Sequence, residues 1–205
     1  MVEITKLERQ KNKDKLNLFI NGEFYCGILR EIAIINNFFV GKKLEKSELD
    51  AVILEGLSKQ AFSKAADYLS VRPHTRQELK LKLLKKEFPV AAIQKALDKL
   101  QEYGYLDDEK FAQLFIEQNP KLSKKMIINK LAAKGIFAET AQKYLQDVPL
   151  DQELQAACSL TEKYLKNKNI NDCKEKLYAY LCRKGFDFDT VKKAVKTVTK
   201  QEEED

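Results

Sequence analysis

The stretch Leu79–Phe88, LKLKLLKKEF, decides the fold because its apolar skeleton returns twice further along the chain. The second copy is Ile127–Ile136, IINKLAAKGI, and the third is Leu177–Phe186, LYAYLCRKGF. The last residues of successive copies are 48 and 50 positions apart. Apolar residues at i, i+4 and i+7 follow each copy, which is the spacing of a buried helical stripe. The pattern predicts a chain built from repeated helical units.

A third apolar segment precedes each copy at a similar distance. These segments contain Tyr68-Leu69, Phe115-Ile116 and Tyr164-Leu165, so each unit is predicted to hold three helices. A period near 50 residues, made of helices that cannot bury their faces alone, is typical of a helical repeat protein. We therefore predict a mainly α fold of three tandem three-helix units in an elongated, curved array.

Residues near the N-terminus instead have the alternating pattern of strands. Lys15–Ile20 alternates, Asn21-Gly22 follows, and the apolar pattern continues through Phe24–Cys26. Asn-Gly between two such runs favours a type I′ hairpin turn, because both central residues need positive φ. We predict a third strand at Val2–Arg9, since an isolated hairpin is only marginally stable.

Capping residues predict the limits of the next two helices. A helix over Ile28–Phe39 would cover the sheet and end at the glycine of Val40-Gly41. Ser47, followed by Asp50, is predicted to open the next helix. That helix would be open to a break near Gly56 and would end at Arg72-Pro73, because the residue before proline avoids the α region.

The repeats carry capping signals of their own. Thr75 and Glu78 form a capping-box pattern, and Asp172 with Glu175 is predicted to act similarly in the third unit. Gly135 and Gly185 are predicted to end their helices in the left-handed conformation, whereas the first copy has Glu87 there.

The motif Tyr103–Asp108, YGYLDD, predicts a hinge between units. Gly104 would end one helix and Asp107 or Asp108 would cap the next. Together, these signals predict the following organisation: an N-terminal sheet-and-helix region at 1–46, three-helix units at 47–105, 106–148 and 149–200, and a disordered acidic tail at 201–205.

Composition excludes several classes of protein. The 205 residues are 44% hydrophobic and 33% charged, which suits a chain with a buried core. Apolar runs fall short of the roughly 20 residues of a membrane span, and MVEITKLERQ has no apolar signal core, so we predict a cytoplasmic protein. The four cysteines lack CxxC spacing, and the single histidine, His74, has no nominated catalytic partner. Without a phosphate-binding glycine loop, the sequence predicts no enzyme, metal or cofactor.

Basic residues are concentrated in the middle of the chain, where residues 61–148 carry 16 Lys and Arg against 11 Asp and Glu. A concave repeat surface lined with them would suit phosphates or an acidic protein filament. The alternative is a solvated lysine-rich face. The candidate binding residues are Arg72, Arg76, Lys80, Lys82, Lys85, Lys86, Lys124, Lys125, Lys130, Lys134, Arg183 and Lys184.

Two further groups have a functional and a structural interpretation. Tyr103, Tyr105, Phe111 and Phe115 could stack on bases, but helical spacing beside Leu100 favours a place in the core. The adjacent residues Asp107 and Asp108 could form a carboxylate pair, but helix caps are favoured.

Together these residues resemble the RecX family, the regulators of the RecA recombinase. The resemblance rests on Tyr68–Pro73 followed by Glu78-Leu79, on Gly104–Asp108 with Phe111-Ala112, and on the Lys-Gly-Ile and Lys-Gly-Phe at 134–136 and 184–186. It covers roughly residues 60–198, and the hairpin resembles an N-terminal extension of some members. Glu87 and Leu122-Ser123 depart from the glycines that the family usually has.

The resemblance implies three tandem three-helix units and an activity. It implies a monomer that binds in the groove of the RecA filament on single-stranded DNA and restrains its ATPase and strand exchange, with weaker contact to double-stranded DNA. Such a protein would act in homologous recombination, DNA repair and the SOS response. Two other functions remain open: a helical DNA-binding protein that acts without RecA, whose affinity falls steeply with salt, and a helical scaffold for another protein.

Overall fold

The computed structural model describes residues 1–11, 14–149, 151–166 and 168–201. The strands are β1 (Val2–Arg9), β2 (Lys15–Ile20), β3 (Glu23–Leu29) and β4 (Lys43–Leu44). The helices are α1 (Arg30–Ile35), α2 (Lys46–Val71), α3 (Arg76–Leu84), α4 (Val90–Glu102), α5 (Asp108–Glu117), α6 (Lys124–Ala132), α7 (Ala138–Leu145), α8 (Gln152–Leu165), α9 (Ile170–Arg183) and α10 (Phe188–Gln201). The prediction of a mainly α chain with a small N-terminal sheet is confirmed. Beyond Gln201, the predicted acidic tail lies outside the described residues.

The chain forms two compact units, Met1–Leu106 and Asp107–Asp205. The first unit contains the sheet with its covering helices and the three-helix group α2, α3 and α4. The second contains the groups α5 to α7 and α8 to α10, each around its own apolar cluster. The boundaries assigned to the individual repeats stay a prediction.

The sheet is antiparallel, with the strand order β3-β2-β1-β4. Asn21 and Gly22 both have positive φ, 51° and 90°, as the Asn-Gly signal predicted for the turn between β2 and β3. The turn is tied to β1, because the Asn21 side chain accepts a hydrogen bond from the Glu3 N–H at 3.0 Å. Strand β1 has the predicted limits.

Helix α1 is shorter than predicted. Ile28 belongs to β3, and Phe39 lies beyond the helix with 58% of its surface exposed. The helix ends after Ile35 because Asn37 takes the left-handed conformation, φ 50°, and the Phe38 N–H donates to the Ala33 carbonyl at 2.8 Å. The predicted glycine cap at Val40-Gly41 was therefore wrong.

Helix α2 runs without a break for 26 residues. The prediction that Ser47 caps it was wrong, because the helix begins at Lys46 after Glu45 and has no side-chain cap. Gly56 interrupts nothing. The side chain of Ile32 occupies the space that a Cβ on residue 56 would need, so glycine lets α1 pack closely on α2.

One helix thus serves two cores. Leu49 and Ile53, near the start of α2, pack with the sheet. Ala61 and Ala65, further along, pack with α3 and α4 in the first three-helix group. Arg72 ends the helix in an extended conformation before Pro73, as predicted.

Each three-helix group buries the stripe that the repeat predicted. All but one of the predicted stripe residues are at most 4% exposed; the exception is Val148, which is only partly buried against the second core. The buried residues are Leu79, Leu83, Ile93, Leu97 and Leu100 in the first group, Ile127, Leu131, Ala141 and Leu145 in the second, and Leu177, Leu181, Val191, Val195 and Val198 in the third.

At the central helices of the three groups, α3, α6 and α9, the ends follow the capping signals with one exception. Thr75 and Glu78 form the predicted capping box at α3. Gly135 and Gly185 have φ 83° and 90°, and Glu87 takes the same conformation with φ 62°. The exception is Asp172, which was predicted to cap α9 but lies inside its first turn because the helix begins at Ile170.

Candidate functional site

The basic residues at the start of α3 are held in place by acidic and amide partners. The Arg76 guanidinium lies 2.5 Å from the Asp98 carboxylate and donates to the Gln101 side chain at 3.0 Å. Arg72 lies 3.5 Å from Glu78 and donates to the Pro73 carbonyl at 2.9 Å. These contacts tie α3 to α4 and to the preceding turn, so both arginines position the helix.

The lysines of α3 differ from these arginines. Lys82 places its ammonium 4.4 Å from the centre of the Tyr68 ring, a cation–π arrangement that orients it across α2. Lys85 and Lys86 are exposed at the end of the helix. Among the residues that the structure describes, Lys80, Lys82, Lys85 and Lys86 form no ion pair. Their charge is therefore available to an anionic partner.

Ser123 joins the start of α6 to the end of α9, 61 residues away. Its hydroxyl accepts a hydrogen bond from the Met126 N–H at 3.2 Å and donates one to the Lys184 carbonyl at 2.7 Å. A Cβ on Gly185 would lie 2.6 Å from the Ser123 oxygen and 3.3 Å from the Lys125 Cβ. The second and third helical groups are thus in close contact at this point.

This contact brings together two sets of candidate residues that the sequence had placed on separate repeats. Lys124 and Lys125 begin α6, while Arg183 ends α9 and Lys184 follows it directly. Lys125, Arg183 and Lys184 are exposed. The Lys184 ammonium lies 5.5 Å from the centre of the Tyr180 ring. The result is a basic corner, defined as Lys124, Lys125, Arg183 and Lys184.

Lys130 and Lys134 lie towards the opposite end of α6. Lys130 is exposed, and the Lys134 ammonium lies 5.5 Å from the centre of the Phe111 ring. The twelve candidate residues therefore divide equally between the two units, with Arg72 to Lys86 in the first and Lys124 to Lys184 in the second. Within the second unit, the basic corner is the part that the structure brings together.

The expectation that Tyr103 and Tyr105 lie in the core was wrong. Their side chains are 53% and 66% exposed, whereas Phe111 and Phe115 pack against the second core. The sequence signal that could have revealed this is Gly104. With φ 73° it follows the cap residue Tyr103, so α4 ends at Glu102 and Tyr105 lies outside the helical periodicity. Asp107 caps α5 by accepting from the Lys110 N–H at 2.9 Å, as favoured.

The remaining side chains that could take part in chemistry are the cysteines and possible metal ligands. Burial raises the pKa of the Cys26 thiol to about 11, and burial also raises the pKa of Cys158, so both thiols stay protonated near neutral pH. Across the described part of the chain, no three His, Cys, Asp or Glu side chains come together in a group that could hold a metal ion. Within the same residues, no helix is long and apolar enough to span a membrane.

Three family models match separate parts of the chain. The model described as "Regulatory protein RecX N-terminal domain" matches residues 2–45. The models described as "RecX, first three-helix domain" and "RecX, third three-helix domain" match residues 61–100 and 151–195. The matched residues coincide with the sheet and with the first and third helical groups.

Relatives of similar length show the same relationship. The regulatory protein RecX of Clostridium tetani is 32% identical over 197 residues, covering 92% of this chain and 91% of its own. That of Clostridioides difficile is 29% identical over 209 residues and covers 98% of both.

Two solved structures share the fold. A crystal structure of a regulatory protein RecX has a TM-score of 0.67 at 22% identity, covering 96% of this chain and 100% of its own. RecX from Lactobacillus salivarius has a TM-score of 0.62 at 21% identity, with 70% of this chain and 97% of the other covered.

Fold and site together define a protein of tandem three-helix domains with an N-terminal sheet and lysine-rich helix ends. The three domain matches and the 32% identity over most of both chains identify its family. The chain belongs to the RecX family of regulatory proteins.

Proposed function

We propose that this chain is a non-enzymatic regulator that binds the RecA filament on single-stranded DNA and restrains its ATPase and strand exchange. Membership of the RecX family supports the regulatory role. The observation that supports binding to a nucleoprotein is the group Lys80, Lys82, Lys85 and Lys86, whose charges are not neutralised by the described residues. Phosphates and acidic protein surfaces are the partners that attract such a group.

Within the proposed site, the basic residues have two different roles. Arg72 and Arg76 hold α3 against the rest of its unit, so removing them would disturb the helix as well as the charge. Lys82, Lys85 and Lys86 present charge and have no acidic partner in the part of the chain that the structure describes. In the second unit, the basic corner would supply a further anionic contact, assembled by the hydrogen bond of Ser123.

Regulation requires more than binding. A ligand shifts the populations of two states only through a difference in its affinity for them, so the chain must bind one filament state more tightly than another. We infer that the chain acts as a cytoplasmic monomer on the filament, with weaker affinity for double-stranded DNA. We also propose 47–105, 106–148 and 149–200 as the limits of the three three-helix repeats.

The first test is the RecA ATPase rate on single-stranded DNA, titrated with the full chain while naked-DNA binding is measured in the same buffer. We expect inhibition at well below one chain per RecA, and filament binding that persists at salt concentrations that abolish binding to naked DNA. Inhibition only when the DNA is coated would indicate a competing DNA-binding protein. No effect at any ratio would leave the scaffold function.

The second test reverses charge on α3 with the triple variant Lys82→Glu, Lys85→Glu, Lys86→Glu. We expect filament affinity to fall at least about ten-fold at moderate salt, because loss of several phosphate contacts changes affinity by orders of magnitude. The matched control is Lys192→Glu, Lys193→Glu, Lys196→Glu, which makes the same charge change at three exposed positions of α10. Equal losses in both variants would reduce the effect to net charge and remove α3 from the site.

A further inference from the structure

A chain of three aromatic rings leads from the core of the first unit to its surface. Phe62 of α2 is partly buried against the core. The Tyr103 ring meets it edge to face at 6.0 Å and 78°, and the Tyr105 ring meets Tyr103 at 6.3 Å and 87°. The last two rings are 53% and 66% exposed.

The backbone that carries these rings is fixed. Both the Tyr105 and the Leu106 N–H groups donate to the Leu100 carbonyl, at 2.9 Å and 3.2 Å. The left-handed conformation of Gly104 makes this tight closure possible. Leu106 is 2% exposed and anchors the far side of the turn in the core. The turn therefore holds both rings outside the core. Because their backbone is already ordered, binding a partner there costs little further conformational entropy.

The chemistry around the rings favours a nucleobase as their partner. The Lys99 ammonium lies 5.7 Å from the centre of the Tyr103 ring. The side chains that precede Tyr103 in the chain are the exposed amide of Gln101 and the exposed carboxylate of Glu102, so the rings stand in a polar surface with charges of both signs. An aromatic anchor in a protein interface typically sits in a packed pocket whose surrounding contacts exclude water. Exposed aromatic faces beside lysine in a polar surface are instead the arrangement that binds single strands, where bases stack and cations neutralise phosphates.

We propose that Tyr105, supported edge-on by Tyr103, is a stacking platform for an unpaired base of single-stranded DNA. The platform rests on the proposed function, since it needs a single strand within reach of the first unit. It adds a contact that the lysines cannot make, because an ammonium group neutralises phosphate whereas a ring recognises the base itself. Double-stranded DNA, whose bases are already stacked, would gain nothing from it.

The absence of tryptophan from the chain allows a direct test. In the full chain with Tyr105→Trp, the new indole is the only tryptophan fluorophore, and we expect an oligothymidylate to quench its emission. An abasic oligomer of the same length and charge should leave it unchanged. The matched control is Phe24→Trp, which replaces another exposed ring, 60% exposed, in an edge-to-face pair with Phe19. Quenching by both oligomers, or equal quenching in the control, would overturn the platform.

The affinity for oligothymidylate gives a second, independent test. Stacking on one aromatic ring changes affinity by between about five-fold and about 100-fold, so Tyr105→Leu should weaken oligothymidylate binding within that range. Tyr105→Phe keeps the ring and should bind like the unchanged protein. If Tyr105→Leu weakened binding to the RecA filament while the indole of Tyr105→Trp showed no response to DNA, the rings would contact protein and the base platform would be wrong.

These outcomes separate the platform from the proposed function. Unchanged affinity in Tyr105→Leu, alongside a loss in the α3 lysine variant, would reject the platform and leave filament binding intact. Failure of the unchanged chain to bind either the filament or the oligomer would reject both.

Discussion

The turn that follows the central helix can be compared in the first and third repeats. Glu87 and Gly185 occupy equivalent positions and both adopt left-handed conformations, with φ 62° and 90°. The first turn tolerates a side chain, so positive φ alone does not demand glycine. The third turn lies against Ser123, and a Cβ on residue 185 would be 2.6 Å from the serine oxygen. Glycine is needed there for space as well as for conformation.

The substitution Gly185→Ala tests this comparison with the largest expected effect on stability. We expect it to lower the free energy of unfolding by about 2–4 kcal/mol, because left-handed strain is added to a clash with Ser123 and the start of α6. Urea denaturation of the full chain measures the change. The matched control is Gly104→Ala, where φ is 73° but no atom of the described residues lies within 4 Å of the new Cβ. A loss of stability of about 1 kcal/mol is expected there.

A second variant shows whether the clash is the cause. Ser123→Gly removes the oxygen that a Cβ at residue 185 would meet, and also the hydrogen bonds to Met126 and Lys184. In the double variant with Gly185→Ala, the loss of stability should be smaller than the sum of the two single losses. Additive losses would mean that the alanine is accommodated without touching Ser123.

The starts of the same central helices give a second comparison, between the first and second repeats. Thr75 and Ser123 both cap their helices, but His74 precedes the first and Leu122 the second. His74 is 4% exposed, and its Nδ1 lies 2.9 Å from the Arg72 carbonyl, so Nδ1 carries the proton. Its Nε2 is buried without a partner among the described residues. Protonation there would place a positive charge on a buried side chain near the cations of Arg72 and Lys82.

Stability should therefore fall as the solution becomes acidic. Burial lowers the pKa of His74 below its usual 6.5, so the unfolded chain takes up a proton before the folded chain does. The free energy of unfolding decreases as the pH falls through 6.5, with a slope of at most about 1.4 kcal/mol per pH unit for one proton. Urea midpoints at pH 7.5, 6.5 and 5.5 measure this loss.

The variant His74→Leu introduces the residue that the second repeat has at the equivalent position, Leu122. It should flatten the dependence of stability on pH. Since the chain contains a single histidine, no other imidazole can account for titration in this range. A pH profile that is the same in both proteins would show that His74 is not the titrating group.

The substitution Glu87→Gly tests the first turn with the smallest expected effect. Glycine relieves the left-handed strain at φ 62° but increases the freedom of the unfolded chain. We expect a net stabilisation of about 0.5–1 kcal/mol, seen as a higher urea midpoint. Glu87→Ala keeps the strain and serves as the control; if it stabilises the protein equally, the gain does not come from the backbone conformation.

Several signals that act within a few residues predicted the structure correctly, although the caps expected at Ser47, Gly41 and Asp172 were wrong. The Asn21-Gly22 turn, the capping box of Thr75 and the glycine ends at 135 and 185 all depend on local backbone chemistry, and the structure has each of them. The apolar stripes were also predictable, because a helix of known period must bury one face. These features establish the repeats and hence the fold class.

Features that depend on distant contacts could not be predicted in the same way. The hydrogen bond of Ser123 to Lys184 and the packing of Ile32 on Gly56 join segments far apart in sequence. Arg76 was predicted to be a binding residue but pairs with Asp98, which lies on another helix. The sequence could not reveal this pairing for the same reason. The twelve candidate residues were chosen by charge and by their positions on the repeated helices, and neither reveals which cations already have partners.

Helix α2 has a consequence for how the first unit unfolds. Its 26 residues span about 39 Å, and the sheet packs on one half while α3 and α4 pack on the other. Because helix formation is cooperative, fraying at either half weakens the shared backbone hydrogen bonds of the whole. The amide hydrogens of the sheet and of the first helical group should therefore exchange cooperatively, as a single unit. A truncation within α2 should leave no stably folded fragment on either side.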